Sequence, residues 1–475
     1  MTASPVVVDN GTGMVRCGCT GLSPLPLLRC PTVTGRATAK TVALRSFMGK
    51  TQTPSSLLPL HILNSAQHAP VLKERTGLRD REDMRLHRER PLQAGVLCGD
   101  ELAAARVLGG VELTYPIRNG FIHNMDAMQE IWDYALCERL PSLARPSCGS
   151  KTRWKYEDGL AWLLDRPLLL CEQTNISLRQ RCDLLELFFE KYNFPTIQPM
   201  QQGLLSLFAN GADRGVVVEC GEGLSHCMPV FDGFLLTTAQ RSTPVAGRAV
   251  TERLAQVLGQ QQPHWRYQDS GRTGAEPTAL PHSPRPINDM DVLRQIKERC
   301  CYVATENDDV GDRRMRETST LHCECVLPDG TPCRLGPERF AAPELLFDPR
   351  EADYDCDGIA MTLWKSIEAA GIDVRTSFYE NIFLSGGSTL LPGFGARLQR
   401  EMKSLYLTEK LKGNAARMAR CPIRVKEPQW RQHMVYMGGA ILAEFSQSQP
   451  EMWMSRSAYE EGGTSAIIAR YCASA

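Results

Sequence analysis

Asp9-Asn10-Gly11-Thr12-Gly13 is the stretch of the 475-residue chain best equipped for chemistry. It follows Pro5-Val6-Val7-Val8 and precedes Met14-Val15-Arg16-Cys17-Gly18. The valines read as a buried strand, and the two glycines allow a sharp reversal into a second strand. Such a turn presents backbone N–H groups that can line a phosphate oxygen. Asp9, at the strand end, can hold a hydrated divalent cation, and Arg16 can neutralise phosphate charge. One Asp-Asn-Gly also marks any ordinary hairpin, and alone it favours a plain turn. The construction recurs at Val216-Val217-Val218-Glu219-Cys220-Gly221-Glu222-Gly223-Leu224-Ser225-His226, again three valines, an acid, a Gly-x-Gly turn and a return strand. Two acid-tipped glycine hairpins in one chain predict two facing lobes that grip one polyphosphate from both sides.

The rest of the chain must position those hairpins. Its length exceeds one simple core and implies at least two lobes. Hydrophobic residues at 43% and charged residues at 23% are ordinary for a globular protein. A formal net charge of +0 gives no global field toward nucleic acid or an acidic membrane, so neither is expected as a partner. No apolar run reaches spanning length, and the start lacks a basic segment followed by a long apolar one. The 18 cysteines include no C-x-x-C pair and are read as thiols in a reducing cytosol. Cys17/Cys19 and Cys323/Cys325 alternate at strand spacing. Zinc is conceivable there, but buried thiols are favoured.

Periodicity predicts helices over residues 125–136 (core positions Met128, Ile131, Trp132 and Ala135), 180–192, 200–209, 250–258, 291–302, 359–370 and 394–407. Residues 167–170 read as a buried strand. Residues 382–389 read as a third strand ending in glycines, where backbone must approach something flat or anionic. Residues 22–31 read as irregular. Residues 40–92, 144–165 and 259–289 read as insertions, the first rich in alternating acids and bases. From spacing alone, Arg294, Lys297 and Glu298 would be a solvated helix face.

The two hairpins, Leu384-Ser385-Gly386-Gly387-Ser388-Thr389, Val245-Ala246-Gly247-Arg248, Ile296-Lys297-Glu298 with Cys301-Tyr302-Val303, and Glu338-Arg339-Phe340 with Pro343-Glu344 together resemble the actin superfamily. Met437-Gly438-Gly439-Ala440-Ile441-Leu442-Ala443 and Met452-Trp453 agree. The resemblance covers nearly the whole chain outside the three insertions. It implies an α/β, two-lobed fold of duplicated mixed-sheet domains around a nucleotide cleft, as in actin, hexokinase and the 70-kDa heat-shock proteins. Subdomain 1 would comprise residues 1–34, 95–193 and 434–475, and subdomain 2 residues 35–94. Subdomain 3 would comprise residues 194–245 and 354–433, and subdomain 4 residues 246–353.

The same resemblance implies ATP or ADP with a magnesium ion held by Asp9 through water. Gly11, Thr12, Gly13 and Arg16 would contact the β- and γ-phosphates, with Gly221, Glu222, Gly223 and Leu224 closing from the other side. Gly247, Arg294, Lys297 and Glu298 would border the ribose and adenine. Gly386, Gly387, Ser388 and Leu390 would bind the adenosine side and α-phosphate. Glu186, Glu219 and His226 would act on the attacking water.

Several positions depart from the family. Its second-hairpin aspartates are Glu219 and Glu222 here, each one methylene longer, and the serine between them is Cys220. Glu186 stands for the polar residue that positions water. Leu391 stands for the aromatic that stacks on adenine, and Gln432 for the lysine beside the base. A weak or lost ATPase is therefore expected. The loop at about 36–95 replaces the segment that docks onto the next subunit in actin filaments, which argues against ordinary filament packing.

Within the superfamily, Leu405-Tyr406-Leu407 with Leu411-Lys412-Gly413, an extension that conventional actin lacks, is similar to the smaller actin-related subunit of the filament-branching complex. Residues 459–472 resemble conventional actin's tail instead. The implied partners are a larger actin-related protein, the other subunits of that complex, actin filaments and nucleation-promoting factors, in the cytoplasm at the actin cytoskeleton. Two alternatives stand beside it. One is a nuclear actin-like module of a chromatin-remodelling assembly, suggested by the insertions. The other is a small-molecule kinase of the same superfamily, for which no catalytic Asp facing an acceptor hydroxyl is found.

Overall fold

A computed structural model describes residues 3–37, 62–63, 96–98, 102, 111–144, 156–173, 176–261, 290–305, 322–326 and 332–471. Most of the insertions expected at 40–92 and 259–289 lie outside the described residues.

Two mixed sheets carry the chain, and each is centred on one glycine hairpin. In the first, β1 (Val6–Asn10) pairs antiparallel with β2 (Met14–Cys19), and β2 with β3 (Leu28–Pro31). On its other side β1 runs parallel to β4 (Leu168–Glu172), and β4 parallel to β5 (Thr196–Gln201). The second sheet repeats this plan. Its β6 (Gly215–Cys220) pairs antiparallel with β7 (Ser225–Phe231) and parallel with β8 (Ile382–Ser385). In each sheet the acid ends a central strand flanked by a parallel neighbour, so its side chain emerges at the strand's C-terminal edge, where ligands bind in open α/β sheets.

The valine runs are continuous because both sheet faces are covered. Val6 and Val8 pack into a core with Trp132, Phe188 and Ile131, whereas Val7 faces the opposite core with Leu169, Leu205 and Tyr436. In the second sheet Val216 and Val218 meet Ile296, Leu363 and Phe394, and Val217 meets Leu207 and Phe383. Helix Met434–Ser446 lies against the first sheet and crosses helix Gln202–Phe208 closely. A Cβ on Gly438 would lie 1.8 Å from the Leu205 carbonyl oxygen, so only glycine permits that crossing.

Helices α1 (Met125–Trp132), α2 (Leu178–Glu190), α3 (Gln202–Phe208), α4 (Gly247–Gln261) and α5 (Met290–Cys300) flank these sheets. The expected core of the first, Met128, Ile131, Trp132 and Ala135, is fully buried. Beyond Trp132 the chain widens into a π-helical stretch, Asp133–Arg139, instead of continuing as α-helix. Cys17 and Cys19 are both buried.

Three expectations about local structure are overturned. Residues 22–31 end in strand, because Leu28 and Cys30 pair with Cys17 and Val15 and turn inward. Residues 144–165 contain a helix, Tyr156–Leu163, whose Gly159 lies so near the Cys137 carbonyl that a Cβ would meet it at 1.9 Å. Met200 and Gln201 belong to β5, not to a helix, because they pair with Cys171 and Glu172 of β4.

Candidate functional site

The two hairpins face each other across a cavity of about 340 Å³. Register within the first places Asp9 opposite Arg16, and Arg16 Nη1 donates to Asp9 Oδ2 at 3.1 Å. The turn is closed by Gly11 N–H to the Met14 carbonyl at 3.1 Å and is held from behind by Thr32 Oγ1, which donates to the Gly11 carbonyl at 2.7 Å. The second turn closes in the same way, Gly221 N–H to Leu224 O at 3.2 Å. The tips interlock. A Cβ on Gly13 would lie 3.0 Å from Glu222 Cβ, and one on Gly223 2.9 Å from Thr12 Oγ1. A side chain at either tip would press against the facing hairpin.

The floor of the cleft holds the acids. Asp9 is 3% exposed. Burial raises its pKa, opposed by the charge of Arg16 and by hydrogen bonds from Arg16 and Gln202. Glu219 is pushed up to about 7, first by burial and then by the negative charge of Asp9, with Arg16 opposing. Its cross-strand neighbour His226 is pushed down to about 4 by burial. A buried carboxyl whose proton affinity is raised by burial and by a neighbouring carboxylate is a donor that a divalent cation would return to its charged form.

The opposite wall comes from α4, α5 and the end of β8. Lys297, buried, donates from Nζ to the Gly247 carbonyl at 2.8 Å and lies 3.7 Å from Glu222 Oε2. Arg294 Nη2 reaches Asp291 Oδ1 at 3.3 Å, and its Nε lies 3.9 Å from Glu298 Oε1. After β8 the backbone turns at Gly386 (φ +88°), where a Cβ would strike the Cys220 carbonyl at 2.3 Å. Ser388 Oγ then donates to the Gly221 carbonyl at 2.7 Å and joins this loop to the second hairpin.

The cavity is lined by Asp9, Gly11, Thr12, Gly13, Arg16, Glu219, Gly221, Glu222, Gly223, Leu224, His226, Arg294, Lys297, Glu298, Gly386, Gly387, Ser388 and Leu390. Leu391 and Gln432 line it as well. Gly247 stands one layer back. Its N–H donates to the Gly221 carbonyl at 3.0 Å, and a Cβ there would lie 2.5 Å from Ser388 Oγ. The solvated-face reading fails for Lys297, which is buried where α5 packs alongside α4, whereas Glu298 lines the cavity mouth and stays exposed.

Glu186 is the exception, and the structure corrects it. It sits on α2, outside the cavity, and its Oε1 accepts a hydrogen bond from Thr464 Oγ1. The polar group that reaches the first hairpin is Gln202, at the start of α3, whose Nε2 donates to Asp9 Oδ1 at 2.9 Å. Reading the helix from Met200 concealed it. The usable signal is a glutamine directly after a strand, where β5 delivers its end to the cleft. Arg29, Gln173 and His433 also line the cavity and were not read from the sequence.

The Actin family model matches residues 1–473. The chain belongs to the actin family. It is 32% identical over 464 residues to actin-related protein 2 of Saccharomyces cerevisiae (strain ATCC 204508 / S288c), covering 98% of this chain and 97% of that protein. It is 32% identical over 458 residues to actin-related protein 2 of Drosophila melanogaster, covering 96% and 95%. To actin-related protein 2 of Acanthamoeba castellanii it is 31% identical over 458 residues, covering 96% of both chains. The fold and family implied by the motifs are thus those of this actin-family chain. Among the described residues no helix is long and apolar enough to cross a membrane.

Proposed function

We propose that this actin-family chain binds ATP with magnesium and serves as an actin-related subunit of a filament-branching complex. There it templates daughter filaments beside a larger actin-related partner. The interlocked hairpins over the buried Asp9 carry the nucleotide reading. Similarity to actin-related protein 2 along 96–98% of the chain supports the complex. The proposed setting is the cytoplasm at the actin cytoskeleton, with actin filaments and nucleation-promoting factors as further partners.

Asp9 would hold magnesium through water, which suits a cation that keeps most of its hydration shell. The cation would supply charge neutralisation at the phosphate oxygens. The backbone N–H groups of both turns, with Arg16, bind and orient the phosphates, and Lys297 borders the ribose. Leu390, Leu391, Gln432, Arg294 and Glu298 surround the base end, and among the described residues no aromatic side chain lines it. Glu219 and His226 face the space where water would attack, and the Glu219 carboxyl, with a pKa near neutrality, can take up a proton there. A carboxylate displaced by about 1.5 Å through its added methylene costs up to about a hundredfold in positioning. Hydrolysis is proposed to be slow and to serve as a timer.

Affinity purification of the tagged full-length chain with mass spectrometry tests the complex. Recovery of a larger actin-related protein and the remaining branching-complex subunits is expected. Recovery of remodelling ATPases in their place would overturn it. Calorimetric titration with ATP, with and without magnesium, tests the cleft.

A further inference from the structure

Four cysteines meet far from the phosphate hairpins, where the last turn of α5 packs on the hairpin formed by Cys323–Val326 and Pro332–Leu335. Cys323 Sγ lies 4.0 Å from Cys300 Sγ. Cys300 is also within hydrogen-bond reach of Cys325, and Cys325 of Cys333, which stands directly opposite it in the ladder. Cys300, Cys325 and Cys333 are 2%, 1% and 1% exposed, whereas Cys323 is open in part to solvent. One accessible thiol therefore has a hidden thiol behind it. Cysteines that merely fill a core have no need of that arrangement.

We propose that Cys323 and Cys300 form a reversible redox pair, in which a peroxide oxidises Cys323 and Cys300 resolves it as an intramolecular disulfide. The Cys323 thiolate attacks one peroxide oxygen and breaks the O–O bond, and the departing hydroxide takes a proton to become water. The resulting sulfenic acid is attacked at sulfur by Cys300, which expels a second hydroxide that leaves as water. The two thiols lose two electrons and two protons, and the peroxide gains them. A 4.0 Å gap closes to the S–S length of about 2.05 Å by side-chain movement of about 2 Å.

Accessibility gives the order of events, because Cys323 is open in part to solvent and Cys300 is buried. Burial and the neighbouring Cys300 raise the Cys323 pKa, and the Arg339 guanidinium opposes them. Arg339 is anchored at the site, with Nε donating to the Cys300 carbonyl at 2.7 Å. Cys300 is raised by hydrogen bonding to Cys325 and by burial, so it is the poorer first nucleophile. The bond would pin the C-terminal turn of α5, one turn beyond Lys297, to the neighbouring hairpin. This inference is independent of the nucleotide and complex assignments.

The test treats the reduced full-length protein with hydrogen peroxide, blocks remaining thiols with N-ethylmaleimide and maps the peptides. A linked pair containing Cys300 and Cys323 is expected, lost on adding dithiothreitol, with slower amide exchange over residues 297–301 and 323–326. Cys323→Ser should leave Cys300 alkylatable, and Cys301→Ser should keep the link. Mapping on the wild type decides the matter even if a variant fails to fold. Oxidation of Cys323 to a sulfinic acid with Cys300 still alkylated would overturn the pair, as would a Cys325–Cys333 bond in its place. Protection that a chelator rather than a reductant removes would also overturn it, and would assign a bound metal.

Discussion

Gln202 Nε2 donates to Asp9 Oδ1 at 2.9 Å, and both side chains are buried. The residues are 193 positions apart. Arg16 takes the other Asp9 oxygen, so the carboxylate is fixed on both sides and its plane is set before any cation arrives.

Gln202→Ala should remove one of those restraints and leave a buried carboxylate oxygen without its donor, at a cost of about 1–3 kcal/mol. The expected result is magnesium-dependent ATP binding weakened by about tenfold, read by calorimetry, with the fold retained by circular dichroism. Unchanged affinity would detach Gln202 from the site.

Asp9→Ala should abolish the magnesium dependence of nucleotide binding while leaving part of the metal-free affinity, because the turn amides and Arg16 remain. The check is the ratio of ATP affinities with and without magnesium. An equal ratio in wild type and variant contradicts the metal role.

Glu219 gives a pH signature in the nucleotide-free protein. Its folded pKa of about 7 lies above its ordinary value of 4.5, so the folded state holds the proton more tightly. The stability it contributes is complete below pH 4.5 and is lost as pH rises through about 7, a change of about 3 kcal/mol. His226 and His433, both pushed down to about 4, act oppositely, losing stability as pH falls from 6.5 toward 4. The readout is therefore the difference between wild type and Glu219→Gln in chemical denaturation. The variant should gain relative stability between pH 4.5 and 7. Parallel curves would refute the shifted carboxyl.

Glu219→Asp and Glu186→Gln should separate cleanly. The first shortens an acid in the cleft and should raise single-turnover phosphate release. The second alters a contact with Thr464 outside the cavity and should leave ATP affinity and turnover unchanged, with stability moved by no more than about 0.5 kcal/mol. A turnover effect from Glu186→Gln would return it to the chemistry.

Gly223→Ala places a methyl 2.9 Å from the Thr12 hydroxyl and should push the hairpin tips apart. Faster nucleotide release by stopped-flow is expected. Thr12→Ser should partly rescue it, because a Cβ at Gly223 would also come within 2.9 Å of Thr12 Cγ2, the methyl that serine lacks.

The sequence by itself determined the parts that local chemistry encodes. Three consecutive valines require a strand covered on both faces, an acid followed by Gly-x-Gly requires a tight hairpin, and the repetition of both announces two sheets facing one ligand. The family motifs named most of the residues now found lining the cavity, but not Gln202, Arg29, Gln173 or His433. What only the tertiary structure decided is which distant polar groups complete the site. Glu186 and Gln202 are both polar residues on helices after buried strands, and helical periodicity does not say which one meets Asp9. Parallel pairing of β5 with β4 holds Met200 and Gln201 in strand and starts α3 at Gln202, at the sheet edge beside Asp9. The thiol cluster likewise gathers cysteines from a helix and two strands. A hydrogen bond or thiol pair of this kind is fixed by strand register and helix packing, which sum many weak contacts along the whole chain and leave no local mark in the residues they bring together.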